Sequence, residues 1–199
     1  MTYRDDAARV LDFWLDEVGP DGWYKGDEAL DARIRDGFRD LWRRATAGAL
    51  SLWLTYPSGA LAYCVLTDQF PRNMFRKTAQ AFASDGIARA AACMAVDRKW
   101  DLRIDPPARQ FFYLPFEHSE AISDQDRAVR LFKERMPEAE DNLLHARAHR
   151  EVIRLFGRFP HRNDPLGRES TEEERRWMDN GGYGRLVREM GGEAVDGGP

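Results

Sequence analysis

Residues 60–67, Ala-Leu-Ala-Tyr-Cys-Val-Leu-Thr, are apolar nearly all round, and no other stretch limits the fold so strongly. The run is far shorter than the roughly 20 residues needed to cross a bilayer, so it is stable only as a helix that other helices surround. Those helices can be read off the chain. Val10, Leu11, Trp14, Leu15 and Val18 follow the three-and-four spacing of one helix face, which Gly19-Pro20 ends. Leu30, Ile34, Phe38, Leu41, Trp42 and Ala45 form a second stripe from about 27 to 46, with Gly48 as its stop.

An alanine-rich helix is predicted over about 77–98, loosened at Gly86. Pro106 opens a segment through Phe111, Phe112, Leu114 and Phe116, which Pro115 interrupts and bends because it lacks an N–H. Ser123 caps a helix running to about Met136, and a longer one ends in Val152, Ile153, Leu155, Phe156 and Gly157. Residues 158–169 read as a loop that packs through Phe159 and Leu166. Thr171 with Glu174, or Ser170 with Glu173, makes a capping box for a short last helix. Gly181-Gly182 and the chain from Gly191 read as frayed.

No segment alternates as a strand flanked by hairpin turns does. The expectation is an all-α chain of about eight helices, stacked as antiparallel hairpins. With 199 residues, 43% apolar and 12% aromatic, one core can be filled. Residues 1–190 are therefore taken as a single domain and 191–199 as a flexible tail. Trp14, Trp42 and Trp53 read as packing residues of successive elements.

A net charge of −4 provides no positive field for a phosphate backbone or an anionic membrane surface. Neither nucleic acid nor membrane is expected as a partner. The first residues lack a signal-peptide core, which points to the cytoplasm. Cys64 and Cys93 read as buried thiols outside any CxxC or Cys/His cluster. There is no Walker loop, GxGxxG, G-x-S-x-G elbow or HExxH, and no cofactor is expected.

Polar residues cluster where apolar helices stop. Leu61, Cys64 and Val65 continue by helical spacing onto Asp68, a carboxylate at the end of a buried face that needs an arginine partner. Gln69, Arg72, Asn73 and Arg76 follow, and Pro71 predicts a non-helical Phe70. The tetrad Phe70-Pro71-Arg72-Asn73 returns as Phe159-Pro160-His161-Arg162-Asn163, between Arg158 and Arg168. Such arginines and asparagines suit a carboxylate or phosphate. They equally suit helix carbonyls and internal acids. A third cluster, Glu117, His118 and Glu120, follows Pro115, and His149 shares a face with Val152, Ile153 and Phe156 that turns it toward the core.

Val10-Leu11-Asp12-Phe13-Trp14, Asp68 to Asn73, Leu114-Pro115-Phe116-Glu117-His118-Ser119-Glu120 and Phe156 to Asn163, with Leu166-Gly167-Arg168, carry a resemblance. At these motifs the chain resembles a bacterial domain-of-unknown-function family with a tetratricopeptide-like helical fold. The resemblance implies stacked helical hairpins. It supplies no activity or catalytic residues.

The residues favour the first of three functions, with the second as runner-up, beside the alternative of a purely structural polar network. In the first, Asp68, Gln69, Arg72, Asn73, Arg76, Glu120, Arg158, His161, Arg162, Asn163 and Arg168 line a polar pocket for a small anionic molecule. The second gives Glu117, His118 and His149 acid/base duty in a hydrolase or isomerase-like enzyme, with a metal-assisted version drawing on Asp68 and Glu120. The third is a groove for a protein partner or a second copy of the chain.

Overall fold

The computed structural model describes residues 3–191, so the expected tail beyond Gly191 lies outside the described residues. Among the described residues every regular element is helical, and no helix is long and apolar enough to cross a membrane. The chain forms two compact units, Met1–Pro115 and Phe116–Pro199.

In the first unit, helix α1 (Tyr3–Leu11) runs on into a π-helical stretch, Asp12–Val18. There Gly19 N–H reaches Trp14 O five residues back, at 3.2 Å, and a φ of 65° at Gly19 turns the chain away. Helix α2 (Glu28–Thr46) starts where the Asp27 side chain accepts from Ala29 and Leu30 N–H. Helix α3 (Pro57–Cys64) is the expected central element, buried from Gly59 to Cys64 and packed on α1. Its start needs glycine: a Cβ at Gly59 would lie 2.5 Å from Trp53 O and from the Tyr56 ring. Cys64 is buried, whereas Cys93 is only half-buried.

Phe70 departs from expectation. A second π-helical stretch, Val65–Gln69, leads without a break into helix α4 (Phe70–Met74), and Phe70 itself is helical at φ −59° and ψ −36°. Its N–H bonds Val65 O, five residues back. The wider register relieves the clash that Pro71 imposes on the preceding turn. Pro71 has no N–H for the Thr67 carbonyl, and the Ser84 hydroxyl donates to that carbonyl at 2.6 Å instead. Ser84 in turn accepts from Trp42 Nε1 at 3.0 Å. Phe70 is the hub of an aromatic core, 4.8 Å from Phe38, 5.5 Å from Trp14 and 6.0 Å from Phe13.

Helix α5 (Asp85–Asp97) begins later than the alanine pattern predicts. Lys77 has φ 61°, outside the right-handed helical region, so no helix starts there. Gly86 then falls in the first turn and loosens nothing. Pro115 likewise sits near the start of a one-turn helix, α6 (Leu114–Glu117), where its missing N–H has no intrahelical partner to lose. Leu114 and Pro115 belong to the first unit, Phe116 and Glu117 to the second.

The second unit is built on a helical hairpin, α7 (Ile122–Arg135) and α8 (Glu140–Phe156), joined through Pro137. Ser123 does not cap α7. Ser119 Oγ accepts Ala121 N–H at 3.2 Å and donates to Asp124 at 2.6 Å. Gly157, at φ 68°, closes α8 in the left-handed conformation. Thr171 and Glu174 form the capping box of α9 (Glu172–Asp179). Gly181 is not frayed: at φ 93° it turns the chain into α10 (Gly182–Glu189). Val152, Ile153 and Phe159 form one core cluster, covered by Phe156, Trp177, Tyr183 and Leu186, and Phe116, Ala128 and Phe132 are buried in the same unit.

Candidate functional site

The first Phe-Pro segment builds an ion-pair network within its own unit. Asp68 is fully buried and accepts from Gln69 Nε2 at 2.6 Å, while its carbonyl accepts Arg72 Nη1 at 2.6 Å. Arg72 meets Asp85 with two hydrogen bonds, at 3.0 and 3.2 Å, and its Nη2 lies 3.8 Å from Asp68. Burial lowers the Arg72 pKa, but the two carboxylates outweigh it and raise it. Asn73 donates to Asp31 at 2.8 Å, and Arg76 pairs with the same carboxylate through Nε and Nη2. Asp31 and Asp85 escape sequence reading. For Asp31 a signal existed, because it shares the apolar stripe with Ile34 and Phe38 and therefore faces inward. Asp85, at a helix start, gives none.

The second segment pairs as fully, on a different backbone. Phe159 is extended before its proline, and Pro160–Arg162 make one 3-10 turn. Arg158 meets Glu174 at 2.6 and 2.8 Å. That contact draws the Glu174 carboxyl down to about 2, against the opposing push of burial. Arg168 meets Glu120 at 2.7 and 2.9 Å and holds Phe159 O and Asn163 Oδ1 as well. Burial pushes Glu120 up, but the bonds from Arg168 and the Phe159 amide bring it below the usual range. Asn163 donates to Ser170 and Glu174. Arg162 is buried, donates to His118 O at 3.0 Å, and lies 4.4 Å over the Phe159 ring, against which His161 also packs.

The predicted acid/base residues come together in the second unit. Glu117 Oε1 lies 2.8 Å from His149 Nδ1, both side chains almost completely buried. The His118 ring stands edge-on to that of His149, centroids 6.3 Å apart. Two further residues join them. Tyr183 Oη is 3.0 Å from His149 Nδ1 and 2.7 Å from His145 Nδ1. Sequence reading gives no role to His145, one turn before His149 on α8. It missed Tyr183, whose glycine-rich surroundings suggest a frayed end.

These contacts decide where the protons sit. His149 Nδ1 faces two groups that can only accept, the Glu117 carboxylate at 2.8 Å and His145 O at 2.9 Å. It must carry a hydrogen, so in the neutral ring Nε2 holds the lone pair. Burial, and secondarily the Glu117 charge, push Tyr183 far above its ordinary pKa, so it stays a phenol. Burial also lowers the His145 pKa, leaving a neutral ring whose Nδ1 accepts the Tyr183 hydrogen. His149 Nε2 and Glu117 Oε2 are buried and have no hydrogen-bond partner among the described residues. Among those residues no three of His, Cys, Asp and Glu gather as a metal ion requires.

Fold and clusters together define a chain, all-helical among its described residues, whose turns are held by arginine–carboxylate pairs and whose second unit holds a buried Glu–His–Tyr group. More specifically, the chain belongs to the family described as bacterial protein of unknown function (DUF924), whose model matches residues 10–182. A solved structure of a protein of unknown function from Agrobacterium tumefaciens is 42% identical and superposes with a TM-score of 0.85. The match covers 90% of this chain and 99% of that one. No curated protein matches.

Proposed function

We propose that the protein is an enzyme of hydrolase or isomerase type that moves a proton, with His149 as general base and Glu117 as the residue that positions it. One observation carries this reading: Glu117 Oε1 holds His149 Nδ1 at 2.8 Å, while Nε2 has no partner among the described residues. A carboxylate on one ring nitrogen fixes the tautomer, leaves the other nitrogen basic, and stabilises the imidazolium once it has taken a proton from substrate. Tyr183 and His145 complete the packing around the ring.

A small anionic ligand on the arginine segments is supported less well. At Arg72, Arg158 or Arg168 it would have to displace a carboxylate already held by two hydrogen bonds. A groove for a protein partner or a second copy rests on fold analogy alone.

The test is turnover in a panel of small esters, amides and carbon acids. His149→Asn is expected to lower kcat by about 10²–10⁴-fold. Glu117→Gln is expected to lower kcat, because the imidazolium formed in the reaction loses its counter-charge. Turnover unchanged in His149→Asn overturns the reading.

A further inference from the structure

We infer that the molecule taken by this site presents nitrogen hydrogen-bond donors, an ammonium or amidinium group, and not an anion. This rests on His149 being the base. It goes further by asking what would satisfy the buried polar atoms around it.

Three buried acceptors of the second unit have no partner among the described residues: Glu117 Oε2, His149 Nε2 and Gln125 Oε1. The unpartnered donors there, Arg150 Nε and Arg185 Nε, belong to guanidinium groups already paired with Asp126 and Glu189. Glu117 is a carboxylate whose other oxygen already meets His149. His149 Nε2 holds the lone pair, since Nδ1 carries the hydrogen between two acceptors. The Gln125 amide is oriented by its own donor end. Its Nε2 sits 2.6 Å from both Glu117 O and Ser119 O, which only an NH2 group can satisfy, so the other atom is the oxygen.

Buried acceptors cost free energy until a donor meets them. An acetate or phosphate offers only acceptors and adds repulsion against Glu117. A protonated amine or amidine offers several N–H groups and a positive charge. The neighbouring Tyr183 ring favours the same chemistry, for it stands 4.8 Å from that of His149, and aromatic faces attract cations. Positive charge on Arg158 and Arg168 is already matched by Glu174 and Glu120.

Calorimetric titration of the full-length protein at neutral pH, with acetamidinium and methylammonium as probes and acetate as the matched anion, tests the inference without any variant. Saturable heat with at least one cation and none with acetate is the expected result. In Glu117→Gln the cation affinity should fall by about tenfold or more. Saturable binding of acetate with silent cations overturns the inference, as does silence of all three. The two proposals fail separately. Cation binding alongside full turnover in His149→Asn removes the base and keeps the donor ligand, whereas acetate binding alongside lost turnover does the reverse.

Discussion

Phe70 and Phe159 open the same short motif, yet their surroundings differ in kind. Phe70 lies within aromatic residues, Trp14, Phe13 and Phe38. Phe159 touches His149, His161 and the guanidinium of Arg162. The arginines of both segments bind carboxylates of their own unit, Asp31 and Asp85 in one, Glu120 and Glu174 in the other. Each repeated motif is thus a way to anchor a turn with a ring and lock it with ion pairs. What separates the units is the Glu117–His149 pair beside the second copy, which keeps buried acceptors unused. The chemistry sits next to the repeat, not in it.

The largest stability effect should come from the two anchors. Phe70→Ala and Phe159→Ala are each expected to cost about 3–5 kcal/mol in urea unfolding, because both side chains are fully buried. The difference lies in a second readout: Phe159→Ala should also perturb the ring resonances of His149, and Phe70→Ala should leave them in place. Equal perturbation by both variants breaks the comparison.

Acid unfolding sharpens it next. Glu174 is ordinarily a carboxyl of pKa 4.5 and is drawn to about 2 in the fold. A depressed carboxyl contributes stability that is fully present above about pH 4.5 and is lost as pH falls toward 2. Stability should therefore decline across that window, with a shallower decline in Glu174→Gln. An identical slope in the variant contradicts the assigned pairing with Arg158. A smaller effect belongs to the first unit, where Ser84→Ala leaves the Thr67 carbonyl without its 2.6 Å donor and should cost about 1–3 kcal/mol. A neutral outcome there means that the carbonyl finds another partner.

Much of the fold was legible because burial leaves a period. The stripes of Val10 to Val18 and Leu30 to Ala45, the all-apolar centre and the Thr171–Glu174 box each state their element directly. The π-helical register around Phe70 was not legible, since a one-residue widening leaves the apolar spacing nearly unchanged and shows only in which carbonyl accepts. Lys77 at φ 61° was invisible for a similar reason: nothing in a lysine signals a left-handed residue. Of the candidate site, Glu117 and His149 were found from residue type and helix face. Tyr183 was missed because its position depends on two glycines turning a helix back, which a sequence reads as fraying. The tautomer of His149 follows only from atoms 2.8–3.0 Å away, which residue spacing does not encode.

Nitrogen-15 NMR of the His149 ring in the intact protein reads that tautomer directly. At neutral pH we expect a hydrogen on Nδ1 and a bare, basic Nε2, with the balance between tautomers moving when Glu117 is changed to Gln. A ring that carries its hydrogen on Nε2 instead, with Nδ1 bare beside the Glu117 carboxylate, contradicts the assignment of His149 as the base.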